Sequence, residues 1–80
     1  METRLTPKSP DEYLIIIEAA ERNYGAYAPD VPGCVATGET VEECVREMRE
    51  ALAFHFDGLR EDGDPIPEPT IAAAAWVPAA

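Results

Sequence analysis

Eighty residues bound one small domain, and 6 basic against 16 acidic side chains leave it a formal net charge of −10. That balance argues against general nucleic-acid binding, which depends on Lys and Arg neutralising phosphates, and it suits a basic protein partner or plain solubility. A chain this short encloses a single core and gains from self-association unless it is stapled; Cys34 and Cys44 form neither a CxxC pair nor a disulfide framework, and His55 alone does not complete a zinc site with them.

Residues 1–12 contain Pro7 and Pro10 with no hydrophobic period, so they read as a mobile arm. They hold no apolar run of signal-peptide type, and the YLIII that follows is far too short to cross a bilayer, so a soluble, cytoplasmic protein is expected. The domain proper is assigned to residues 13–77, with 78–80 as a tail.

Residues 13–19, YLIIIEA, read as a β-branched strand with Tyr13, Ile15 and Ile17 on one side and Leu14, Ile16 and Glu18 on the other. Large apolar groups on both sides predict that both faces are covered, the second of them by another copy of the chain. A short polar connection through Asn23 returns the chain as an antiparallel strand over 24–28. Pro29 and Pro32 end it, Asp30 belongs to the turn and bonds to local amides, and Gly33 lets the backbone swing into a short third strand over 34–37 that stops at Gly38.

Thr40 followed three residues later by Glu43 is a capping box, and Glu42 suits the positive end of the helix dipole. From there Val41, Cys44, Val45, Met48, Ala51, Leu52, His55, Phe56 and Leu59 recur at three- and four-residue spacing and draw one apolar stripe, so the spacing predicts a helix over 41–61. Gly63 and Pro65 stop it. The alternating prolines of 64–69 form an extended spacer, and residues 70–77 between two prolines are too few for an isolated helix and read as a fourth strand.

Asp30, Pro32, Gly33, Gly38, Thr40 and Glu43 are therefore turn and cap positions. The sequence offers no nucleophile with a base, no metal cluster and no paired carboxylates, so no catalytic residue, cofactor or metal is assigned, and the protein is read as a non-enzyme. His55 sits beside Phe56 on the apolar stripe as a packed residue, and both thiols are small buried fillers. For a protein interface the candidates are Tyr13, Ile15, Ile17, Tyr24, Tyr27 and Trp76.

Several fragments carry a resemblance: the initial YLIIIE, Tyr27-Ala28-Pro29-Asp30-Val31-Pro32-Gly33-Cys34, Gly38-Glu39-Thr40-Val41-Glu42-Glu43-Cys44, Glu50-Ala51-Leu52, and Pro65-Ile66-Pro67-Glu68-Pro69. Together they resemble the HicB-like antitoxin family, as a short single-domain member. The resemblance implies an α+β, truncated ribonuclease-H-like fold of order β-β-β-α-β: an antiparallel meander, one helix on one sheet face, and a C-terminal fourth strand at the far side of the first. It further implies an antitoxin that neutralises a basic HicA-type mRNA endoribonuclease by forming a complex with it. The alternative is an orphan HicB-like oligomeric domain, structural or regulatory, with no toxin partner. Longer members add a C-terminal DNA-binding segment, so no direct DNA binding is expected from this chain, and a homodimer is the simplest assembly.

Overall fold

The structure is a computed structural model that describes residues 12–79 and the backbone of 4–7. Its elements are β1 (Arg4–Pro7), β2 (Ile16–Ala19), β3 (Tyr24–Tyr27), β4 (Val35–Gly38), α1 (Val41–Glu61) and β5 (Ala73–Trp76). The arm expected over 1–12 falls mainly outside the described residues, and Arg4–Pro7 within it is strand β1.

Strands β2, β3 and β4 form an antiparallel meander in that order. Strand β2 begins at Ile16 and not at Tyr13, because its partner β3 ends at Tyr27 and runs into Pro29, which has no N–H to extend the ladder. The chain between β3 and β4 is a compact turn in which Val31 N–H donates to the Ala28 carbonyl (3.0 Å) and Cys34 N–H to the Val31 carbonyl (3.2 Å). Strand β5 is the C-terminal strand, and its ladder partner is β1, in an antiparallel ribbon separate from the meander.

Helix α1 lies across β4 and β3. Ala26, Ala28, Val31, Cys34, Cys44 and Met48 form the buried core, and Tyr13, Ile15, Ile17, Tyr24, Ala36, Ala51, Leu52 and Phe56 pack around it. Val41 departs from the expected stripe: at the first helical position it stands above the core and is 41 % exposed. The molecule measures 47 × 30 × 16 Å, and its short axis admits one helix on one sheet and no third layer. Its radius of gyration of 14.2 Å exceeds the roughly 12 Å usual for a chain of this length.

Candidate functional site

The helix start is built most tightly. Thr40 is extended (φ −129°, ψ 164°) and its hydroxyl accepts the Glu43 N–H at 3.0 Å, while the Glu43 carboxylate accepts the Glu39 N–H at 3.2 Å. The box thus reaches one residue further back than the usual form, which bonds the cap residue's own N–H. Gly38 precedes it for a steric reason, since a Cβ there would stand 2.5 Å from the Cys44 nitrogen and 2.8 Å from its Cα. The far end closes on Gly63 at φ +72°, with Gly63 N–H donating to the Arg60 carbonyl and Asp64 N–H to the Leu59 carbonyl.

Asp30 does more than shape its own turn. Its carboxylate accepts the Thr70 N–H (2.8 Å), the Thr70 hydroxyl (2.5 Å) and the Ile71 N–H (3.3 Å), some forty residues along the chain. Pro32 is exposed beside it, and Gly33 takes φ +86°, a left-handed conformation that glycine adopts without strain. The proline spacer is held at a second point, where the Tyr13 hydroxyl donates to the Pro67 carbonyl while its ring packs on Phe56 with centroids 5.1 Å apart. Sequence reasoning missed both links. The available signal was an aspartate in a proline-flanked turn together with a spacer that must return along the sheet.

The candidate interface residues divide. Tyr13, Ile15, Ile17 and Tyr24 are half-buried against the core, on the helix side, whereas Tyr27 and Trp76 are exposed. Alternation along the strands then sends Ile16, Glu18, Gly25, Tyr27, Val35 and Thr37 to the opposite face, where register aligns Ile16 with Tyr27 and Val35, and Glu18 with Gly25 and Thr37. No described element packs across that face. At the β2 edge a groove of about 640 Å³ opens toward β5, lined by Ile15, Ile17 and Tyr24 of the helix side, by Val41, and by Leu14, Ile16, Ala75 and Trp76 among others.

Electrostatics separates this apolar face from the helix. Glu47, Glu50, Asp57 and Glu61 are exposed on α1, and Asp57 meets Arg60 at 3.2 Å in an ion pair too solvated to add much stability. His55 is half-buried with its ring 6.2 Å from that of Phe56. Cys34 and Cys44 are buried and unpaired by disulfide, and burial raises the Cys34 pKa, which keeps that thiol protonated and unreactive. Among the described residues, no group of three His, Cys, Asp or Glu is placed to hold a metal ion, and no helix is long and apolar enough to cross a membrane. The arrangement is one of surfaces: an acidic helix side, an uncovered sheet face and an apolar groove.

A family profile described as HicB_like antitoxin of bacterial toxin–antitoxin system matches residues 13–77. An uncharacterised 14.9 kDa protein of Haemophilus phage HP1 is 39 % identical over 56 residues, which are 70 % of this chain and 42 % of that one, so the chain spans less than half of that relative. Among solved structures, a chain of the HicA3 and HicB3 toxin–antitoxin complex superposes with a TM-score of 0.62 at 29 % identity, covering 82 % of this chain and 69 % of the other. The N-terminal domain of the Burkholderia pseudomallei antitoxin HicB superposes with a TM-score of 0.63 at 21 % identity, covering 96 % of this chain and all of that one, and shows the same fold.

Proposed function

The chain belongs to the HicB-like antitoxin family of bacterial toxin–antitoxin systems, and from that premise we propose that it neutralises a basic HicA-type mRNA endoribonuclease by binding it. One observation carries the reading: the likeness, at 29 % identity, to a chain of a solved HicA–HicB complex. The net charge of −10 and the carboxylates along α1 support it, because charge of one sign steers a basic partner into contact and fixes its orientation. In this reading the protein works in the cytoplasm, acts as a binding module without catalysis or cofactor, and keeps the truncated ribonuclease-H-like arrangement of its relatives.

Self-association belongs to the same proposal. The rung of Ile16, Tyr27 and Val35 lies on the uncovered side of the sheet, with Tyr27 39 % and Val35 67 % exposed. A second copy is the cover that suits it, giving a homodimer with the helices facing outward.

Co-expression with a HicA-type toxin tests the main claim. The toxin is expected to copurify with this protein and its growth arrest to be relieved. Persistent toxicity, with no complex recovered from cells that contain both folded proteins, would remove the antitoxin reading.

A further inference from the structure

Phe54 stands on the outer side of α1, turned away from Met48 and Leu52, and is 83 % exposed. A single exposed apolar residue is ordinary on a protein surface and carries no meaning by itself. Its neighbours on the same helix face give it one. Glu47 and Glu50 lie seven and four residues before it, and Asp57 and Glu61 three and seven after it, all of them exposed. At 3.6 residues per turn these carboxylates flank the phenyl ring above and below along the helix.

Gly58 lies one turn further along that face, four residues after Phe54. Glycine inside a helix costs stability through backbone entropy, and nothing within the chain requires this one. Its φ is not positive, and a Cβ built there meets nothing beyond its own turn of backbone within 4 Å. Gly38 shows the contrast, since the Cys44 backbone excludes a Cβ there. Two costly choices, an exposed aromatic and an open glycine, therefore stand side by side, a raised ring next to a bare stretch of helix.

Charge decides what covers this relief. Among the described residues, only Asp57 of the four acids has a basic group within ion-pair distance, Arg60 at 3.2 Å. Nucleic-acid phosphates and anionic lipids are repelled by such a face, and so is a second copy, whose own helix carries the same four carboxylates. A cationic protein surface fits it, and arginine fits best. Its guanidinium stacks on an aromatic face while pairing with carboxylates, and its aliphatic stem can lie along helix that carries no side chain.

We propose that this face of α1 is the docking surface for the basic partner, with Phe54 as its apolar anchor. An arginine of the partner lays its stem over Gly58 and its guanidinium between the phenyl ring and the carboxylates. The proposal rests on the antitoxin reading above and adds the residues that make the contact. A central aromatic shielded from water by a polar rim is the arrangement that concentrates binding energy at protein interfaces. It also leaves the opposite sheet face to the second copy.

The test uses the full chain and a HicA-type toxin, with affinity measured by calorimetry at low and high salt. Phe54→Ala should keep the parent's far-UV circular dichroism and melt no lower, yet bind the toxin at least about 30-fold more weakly. Its salt dependence should match the parent's, because it removes the anchor and no charge. Gly58→Gln fills the bare stretch with a better helix former, so it should raise the melting temperature while weakening binding by about 10-fold. The double variant Glu47→Gln with Glu50→Gln should weaken binding at low salt and flatten its salt dependence. If the parent binds and both Phe54→Ala and Gly58→Gln bind equally well, the face is wrong and the antitoxin reading survives. A parent that does not bind the toxin overturns both. A Phe54→Ala chain that fails to fold contradicts the exposed anchor, and one that loses a self-association the parent shows in light scattering gives this face to a second copy; either result overturns the proposal.

Discussion

The two sides of the sheet obey different rules. On the helix side, Cys44 and Met48 are completely buried, and Gly38 leaves no room for even a Cβ against the Cys44 backbone. On the other side Val35 is largely exposed, and Gly25 has open space above it. The same residue types thus pack within the chain on one side and stand open on the other. Glycine and apolar side chains identify a function only after the face they occupy is known.

Charge placed in the core should break the molecule most completely. Met48→Asp sets a carboxylate where no polar partner exists, at a cost of several kcal/mol, comparable with the whole stability of a small domain, and the chain should be unfolded at room temperature by circular dichroism. Leu52→Asp, half-buried one turn further along, should be severe but smaller. A cooperative melt of Met48→Asp within a few degrees of the parent would show that the helix packs by another face.

Gly38→Ala comes next. The added methyl must push backbone at 2.5 Å and 2.8 Å, which a flexible side chain could absorb but a helix start cannot, so about 2–3 kcal/mol of destabilisation is expected in urea melts. Gly25→Ala is its control and should cost nothing measurable in monomer stability. Equal costs at the two glycines would erase the distinction between the faces.

Asp30→Ala should cost about 1–2 kcal/mol, since it removes hydrogen bonds to two backbone amides and one hydroxyl at a partly exposed site. Its sharper readout is local. The amides of Thr70 and Ile71 should exchange with solvent well before those of α1, as the C-terminal segment loses its tie to the β3–β4 turn. Thr40→Ala is expected to lose about 1 kcal/mol through the cap. Uniform exchange in Asp30→Ala would mean that the proline spacer is held elsewhere.

How much of this was legible in the sequence follows the range of the interactions. The helix could be bounded from 41 to 61 because a capping box, a three- and four-residue apolar period and a glycine stop are all local signals. The meander was legible because a short polar stretch ending in Asn23 marks its first turn and prolines and Gly33 mark its second. The long-range pairings were not, since Asp30 gives no sign by itself that its partners lie near residue 70, nor does β5 show that its ladder partner is Arg4–Pro7. The interface candidates suffered from the same limit. Alternation shows that Tyr13, Ile15 and Ile17 share a side, but which side the helix takes depends on the crossover after β4, and the structure places them against the core.

The smallest predicted effect has the opposite sign to the first. Phe54 lies on α1 only six residues beyond Met48, yet it is 83 % exposed and its ring contributes little to the core. Hydrophobicity alone would rank its removal with that of Met48. Propensity argues otherwise, because an aromatic side chain loses rotamer freedom against the preceding helical turn and alanine does not. Phe54→Ala should therefore stabilise the chain slightly, by about 0.3–0.5 kcal/mol, and raise the melting temperature by a degree or two. A loss of more than about 1 kcal/mol would mean that Phe54 is covered in solution. Repeating the melt at ten-fold lower protein concentration would then separate a second copy, whose protection is lost on dilution, from a contact within the chain, whose protection is not.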